Sequence, residues 1–532
     1  MVFTSLLTGT ASLLFPLGIQ TIPIAALGKN LNLAYNEFDG SPIPSGFDQL
    51  TSLTHLKLSW LSFYGQIPLE ISRLTTLVSL DLSRNEYRNG SGFQYLKLEN
   101  PSIGAVVQTY NNLSVQYGNG NSTFTSIPQF ESLLLRSCNI STFPNFLRNQ
   151  EQLGQLDLSY NKISGEIPKW IWEIPPCLGE IGDRLSVLNL QGNAFNGTLL
   201  QTFKEGCNIQ ALDLSGNQLE GQVPRSLVNC KMLEVLNLAN NQIHDTFPFW
   251  LEALSQLRVL VLRSNQFHGT IGHPITNHPF PLLQIFDLSF NSFEGNLPSN
   301  MFKSWKAMMD EDKSQSLVLG KMIPGSSIYY QNKVSLVIKG RQIELVKILT
   351  AFTVVDLSEN KFHGDIPKSI GDLKSLIVLN MSNNDLTGGI PTSLQHLRDL
   401  ESLDLSHNKL SGEIPWQLTD LTFLAMLNLS QNFLMGKIPQ SRQFLTFNNE
   451  SFKENLGLCG PPLSKKCADA ESAPPSALST LQSERKYDWE LMPPVPPPLR
   501  LLKEMLVLQQ NHLIRKKQGM RNQKNREDLY HV

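Results

Sequence analysis

Twelve side chains in this sequence have the types and positions for contact chemistry: Lys57, Trp60, Arg84, Arg136, Tyr160, Gln191, Val261, Arg263, Phe290, Trp305, Tyr329 and Tyr330. Aromatic rings give large rigid contact area and arginine gives a planar donor fork, so such residues dominate the free energy of macromolecular recognition. No catalytic constellation accompanies them. H-E-x-x-H, G-x-x-x-x-G-K-[ST] and the kinase loop set are missing from the sequence, and its ten histidines are scattered. Asp310-Glu311-Asp312 lacks the spacing of a calcium loop, and none of the six cysteines forms a C-x-x-C pair. We therefore expect no enzyme, no cofactor and no metal. A net charge of -2 over 532 residues gives no reason to expect nucleic acid as a partner.

The elements that position these residues come from a repeat. The pattern L-x-x-L-x-L-x-x-N-x-L-x-G-x-I-P returns, in whole or in part, fourteen times. Asn193, Asn217, Asn241 and Asn265 are 24 residues apart, as are Asn360, Asn384, Asn408 and Asn432. A fixed period of that length specifies stacked coils, each of which buries its apolar side only against its neighbours. The expected fold class is an α/β solenoid: an arc with a parallel concave β-sheet of about fourteen coils, interrupted by an insertion. L-x-L is a short strand whose leucines point inward while the intervening residue points out. The asparagine turns in to bond backbone groups freed by the bend after the strand, and G-x-I-P supplies the turn and stops any helix. Cys138 stands in an asparagine position and is expected to be buried and free. Leu61 replaces another such asparagine, and between Glu86 and Ser126 the pattern degrades, with a worn coil expected near Leu113 and Val115. Asp157, Asp213, Asp287, Asp356 and Asp404 recur at outward strand positions and read as a solvated polar ladder.

Between Asn291 and Asn360 lie 69 residues where 24 would serve, so residues 299–350 form an insertion. It opens on Met301-Phe302-Lys303-Ser304-Trp305 and carries a strand-like run at Val334–Ile338; Trp305 is read both as a contact and as an anchor to the coils. Loops this long inside a regular array are functional or disordered as a rule. After Asn432 the apolar Phe444, Phe447 and Phe452 plug the last coil, and Cys459 with Cys467 suits a disulfide-stapled cap. Cys207 and Cys230, 23 residues apart, fall at nearly matching points of successive coils and could bridge, with Cys177 an alternative partner for either. Eight sequons, at Asn89, Asn112, Asn121, Asn139, Asn196, Asn380, Asn428 and Asn449, favour the secretory pathway. A glycan at Asn380 or Asn428 would shield the strand face of the last coils. Residues 1–28 hold no charged side chain, which reads either as a signal-like segment or as the remnant of a truncation.

These features resemble plant leucine-rich-repeat receptor-like proteins, cell-surface sensors without a kinase domain. The I-P endings, the interrupted array, the four coils after the break and Cys459-Gly460-Pro461-Pro462-Leu463 carry the likeness, together with Lys339-Gly340 and Glu344–Leu349. The residues divide the chain into a hydrophobic N-terminal segment (1–30), a first repeat block (31–298), the island insertion (299–350), a second block of four coils (351–440), a cap (441–467) and a Pro-rich, basic tail (468–532). The resemblance covers about residues 31–490. It implies that the island and upstream coils select a peptide, carbohydrate or protein elicitor. The four later coils would meet a co-receptor kinase of the somatic-embryogenesis type, beside adaptor receptor kinases. It also implies a plasma-membrane location, facing outward. A membrane helix should follow Lys486–Glu490, but Leu491–Pro498 is proline-rich and Leu499–Leu508 is broken by Arg500, Lys503 and Glu504. We expect the anchor to be missing and the chain to be truncated at both ends. Two functions follow: a recognition receptor in defence or development, or a secreted or non-functional form, including a soluble inhibitor of microbial wall-degrading enzymes.

Overall fold

A computed structural model of the chain describes residues 29–33, 50–59, 130–171, 185–272, 278–309, 331–338 and 351–467 without interruption, plus isolated strands and single positions elsewhere up to 467. The chain divides into two compact units, 1–244 with 320–332, and 245–319 with 333–532. In the first, nine short strands pair in chain order: Asn30–Asn32, His55–Lys57, Ser79–Asp81, Ala105–Val107, Ser132–Leu134, Gln155–Asp157, Val187–Asn189, Ala211–Asp213 and Val235–Asn237. Every pairing is parallel and unslipped. In the second unit six strands do the same: Val259–Val261, Ile285–Asp287, Val354–Asp356, Val378–Asn380, Ser402–Asp404 and Met426–Asn428. This is the leucine-rich solenoid that the repeat specifies. One strand lies away from its expected place. The degraded stretch contributes Ala105–Val107 to the sheet, whereas Ser114–Val115 pairs with Tyr95–Leu96 in a separate two-stranded sheet. The small residues there leave no leucine signature to read.

Strands stay three residues long because the L-x-L motif offers only two inward leucines before the chain must turn. Those leucines are buried throughout, as at Leu212, Leu214, Leu403 and Leu405, each contributing about 1.5–3 kcal/mol of apolar burial. On the far side of the coils, 3-10 turns at Lys368–Asp372, Thr392–His396 and Trp416–Asp420 begin right after Pro367, Pro391 and Pro415. Proline presets the backbone for a helical start and brings no N–H to leave unpaired.

Among the described residues the asparagines form the expected ladder, and most of them tie two coils together; Asn36 and Asn85 lie outside those residues. Asn408 Nδ2 donates to Met381 O (2.9 Å) of the preceding coil and to Leu405 O (3.2 Å) of its own, while its Oδ1 accepts from Leu386 N (3.0 Å). Asn217, Asn241, Asn360, Asn384 and Asn432 repeat the arrangement. Cys138, buried and unbridged, sits one coil before Asn161, whose Oδ1 accepts from Cys138 N (2.8 Å) and Ile140 N (3.0 Å). The cap continues the same device. Asn455 is a ladder asparagine that the repeat count misses: its Nδ2 donates to Leu429 O (2.9 Å) and Phe452 O (3.1 Å), and its Oδ1 accepts from Leu434 N (3.0 Å). The signal for it is the 23-residue step from Asn432.

The second unit also has an aromatic spine, Phe267, Phe293 and Phe362, stacked one per coil at centroid distances of 5.9 and 6.2 Å. The insertion starts inside this core. Helices Ser299–Phe302 and Lys306–Met309 bury Met301, Phe302 and Met308, and Trp305 packs on Phe286 (4.9 Å) and Phe302 (5.2 Å). Trp305 is thus an anchor with no accessible surface, which corrects its assignment as a contact residue: a bulky apolar ring beside two phenylalanines is worth more in the core than in water. Further on, Gly320–Met322 pairs antiparallel with Tyr329–Gln331, and Val334–Ile338 pairs antiparallel with Arg341–Leu345.

Two outcomes follow from this packing. Asn408→Ala strands the carbonyls of Met381 and Leu405 and the N–H of Leu386, so chemical denaturation should show a loss of about 1–3 kcal/mol. Trp305→Ala should cost about 3–5 kcal/mol in the same measurement, whereas a surface contact residue would shift it by about 0.5 kcal/mol or less.

Candidate functional site

The αL residue just before each ladder asparagine is pushed out to the edge of the strand face. Asparagine must turn inward, and the preceding residue absorbs the bend with a positive φ. In the Asn161 coil of the first unit this residue is Tyr160 (φ 55°), an uncommon conformation for a bulky side chain. Its ring is 40 % exposed and is held from two sides. The Arg136 guanidinium stacks over it at 4.2 Å from the centroid, within the range of a cation–π contact. On the other side lies Gly192, at the same position one coil later; a Cβ there would meet Tyr160 Cδ1 at 3.0 Å, so only glycine lets the ring lie flat. Tyr160 N donates to Gln191 O (2.7 Å), which fixes the backbone beneath. Gln191 is buried with its Oε1 lacking a hydrogen-bond partner among the described residues.

In the second unit the same position belongs to Phe290 (φ 55°), which is 46 % exposed and donates its backbone N–H to Ser358 O (3.1 Å). Val261 and Arg263 nearby are buried, which corrects their reading as outward contacts. Val261 lies between Val259 and Arg263 on its own chain segment and Asp287 on the next strand. A short branched side chain so flanked leaves no surface. Arg136, at 3 % exposure, is likewise a support for Tyr160 more than a contact in its own right.

The aspartate ladder differs from its solvated reading too. Asp157, Asp213, Asp287 and Asp356 are buried, and Asp404 is half-buried. Parallel strands about 4.8 Å apart bring each carboxylate within reach of its neighbour's side chain. Asp213 Oδ1 accepts from Ser215 Oγ (2.6 Å) and its Oδ2 from Asn237 Nδ2 (3.0 Å). Burial pushes the Asp213 carboxyl up to about 6, against the pull of its Ser215 and Asn237 hydrogen bonds.

Of the remaining positions, Lys57 is half-buried on its strand, and Tyr329 and Tyr330 lie on the strand Tyr329–Gln331 with side chains outside the described set. Trp60, Arg84, Cys177, Asn89, Asn112 and Asn121 also lie outside the described residues. Sequon residues Asn139, Asn196 and Asn449 are exposed. Asn380 and Asn428 are half-buried and donate to Asp356 and Asp404. Cys207 is bonded to Cys230 (Cα separation 4.5 Å) and Cys459 to Cys467 (5.0 Å). Among the described residues no metal-ligating group converges, and no helix is long and apolar enough to cross a membrane.

This geometry has relatives. Residues 183–243 and 351–410 match the leucine rich repeat family model, and residues 152–174 match a second one. Receptor-like protein 53 of Arabidopsis thaliana is 41% identical over 403 residues, 64% of this chain and 41% of that protein. Receptor-like protein 35 of Arabidopsis thaliana is 36% identical over 84% of this chain and 51% of its own length. Receptor-like protein 43 of the same plant reaches 62% identity over 200 residues, 37% of this chain and 27% of that protein. The chain thus spans about half or less of these relatives. Among solved structures, a TDR receptor shares the fold at a TM-score of 0.57 and 22% identity, covering 78% of this chain and 66% of that one. The plant peptide hormone receptor RGFR1, solved with RGF2, shares it at 0.51 and 24% identity, covering 75% and 59%. The paired strands, the asparagine ladder and the Arabidopsis relatives agree: the chain is a leucine-rich-repeat protein similar to the plant receptor-like proteins.

Proposed function

We propose that this chain is the extracellular recognition part of a plant receptor-like protein in defence or developmental signalling. It takes a peptide, carbohydrate or protein elicitor on the strand face or the insertion, and it signals through partner receptor kinases at the plasma membrane. The observation that supports this most is the pair of exposed aromatic rings, Tyr160 and Phe290, each at the αL position before a ladder asparagine. A ring at that position is fixed by its backbone and, for Tyr160, by Arg136 and Gly192. A rigid aromatic contact loses little entropy on binding, which is what a recognition hot spot requires. Recognition is also the role that fits relatives named as receptor-like proteins.

The test uses the secreted chain, immobilised, with size-fractionated culture filtrates of plant-associated microbes as the probe. Wild type should retain one fraction, and Tyr160→Ala with Phe290→Ala should weaken retention at least about tenfold, since each lost aromatic hot spot is worth about 2 kcal/mol, while the melting temperature stays unchanged. Equal retention by the double variant would contradict the proposed surface. Inhibition of a microbial wall-degrading enzyme by wild type and variant alike would favour the inhibitor reading instead.

A further inference from the structure

The third residue of each strand forms a row across neighbouring coils. In the first unit its last four members are Asp157, Asn189, Asp213 and Asn237; in the second it reads Val261, Asp287, Asp356, Asn380, Asp404 and Asn428. Acid and amide alternate, and the alternation has a physical purpose. An amide placed beside a buried carboxylate donates to it, as Asn237 does to Asp213 (3.0 Å), Asn380 to Asp356 (3.2 Å) and Asn428 to Asp404 (3.2 Å). Among the described residues acid meets acid in register at one step of the row. Asp287 and Asp356 are register partners on adjacent parallel strands, with no amide between them. These are the strands that flank the insertion in sequence, so the acid pair sits where the chain closes the array after its detour.

Both carboxylates are buried, at 0 % and 2 % exposure. Each Oδ1 is occupied alike, by Ser289 N (3.0 Å) and Oγ (2.6 Å) in one case and Ser358 N (3.0 Å) and Oγ (2.6 Å) in the other. The difference lies at Oδ2. That of Asp356 accepts from Asn380, while that of Asp287 has no hydrogen-bond partner among the described residues. On its far side Asp287 meets Val261, which offers none. The charged group that favours an ionised Asp287 is Arg263, from the turn after Val259–Val261; beyond the neutral Asn380 the next carboxylate in the row is Asp404. Two charges this close and this buried cannot both persist cheaply, and such pairs lose their protons in coupled steps. Burial raises both carboxyls, and the Asp287 charge adds to the effect on Asp356, which is pushed up to about 7.

We propose that Asp287 and Asp356 share one proton, and that this proton makes the pairing of Ile285–Asp287 with Val354–Asp356 a pH-sensitive joint. When the proton is lost, the strands that carry the insertion are held less tightly than the coils on either side, where amides separate the acids. The sign follows from linkage. A carboxyl whose closed-state pKa lies above its ordinary 3.8 favours the closed joint fully at low pH. That preference falls as pH rises from about 4 and is gone above about 7.

Hydrogen exchange of the full chain, read by mass spectrometry from pH 5 to pH 8 and corrected for intrinsic rates, tests this. Peptides covering 283–290 and 352–358 should open about tenfold more per pH unit between pH 5 and pH 7 and level off above. Peptides covering 132–135, where no such acid pair occurs, should not follow them. Asp287→Asn, which restores an amide to the row, should flatten the dependence in both joint peptides; Asp356→Asn is the second variant and should do the same should the first not fold. A flat profile in wild type, or a slope that survives in the folded variants, would overturn the proposal.

Discussion

Asparagines at one phase of the repeat hold this structure together. A chain that leaves a three-residue strand and turns back must abandon the hydrogen bonding of its last strand carbonyls, and inside a solenoid no water replaces it. The ladder asparagine answers both needs with a single amide. Its Nδ2 serves the carbonyls of its own coil and of the coil before, and its Oδ1 takes an N–H from that preceding coil, as Asn384 does with Met381 O, Leu357 O and Phe362 N. The bond that completes one coil is therefore the bond that fastens it to its neighbour. Leucine burial supplies most of the stabilisation, but it is not directional, and the asparagines fix the register that the leucines alone would leave free.

The recognition surface grows out of the same constraint. Because the asparagine turns inward, the residue before it is forced to positive φ and projected to the edge of the strand face. In most coils a small or polar residue takes that place, such as Gly192, Gly216, Asn240 or Asn383. Among the described residues Tyr160 and Phe290 are the large rings there, and the backbone that exposes them also immobilises them. The Asp–Asn row beside them is governed by neighbour spacing: acids a strand apart are tolerable only with an amide between, and Asp287 with Asp356 is the exception at the joint where the insertion interrupts the period.

The sequence made the period, the ladder and the parallel sheet legible because each depends on one residue type at one phase. It was less informative wherever exposure depends on neighbours. Val261 and Arg263 occupy outward phases and are nonetheless buried, and the aspartates read as solvated are bonded across coils, because the side chains of adjacent strands cover one another. Trp305 lies in a stretch without period, so only packing on Phe286 and Phe302 reveals it as an anchor. Asn455 escaped because the cap keeps the asparagine but loses the flanking leucine pattern. The support of Tyr160 by Arg136 and Gly192 joins residues from three coils, a relation that spacing implies only once the register is known.

An experimental density map of the repeat region is the most direct test of the ladder as the organising bond. The account predicts Asn217, Asn384, Asn408 and Asn432 in a buried file, each amide bridging the strand exits of two successive coils. A map that places those side chains in solvent, with the strand-end carbonyls bonded to water or to other groups, would contradict it.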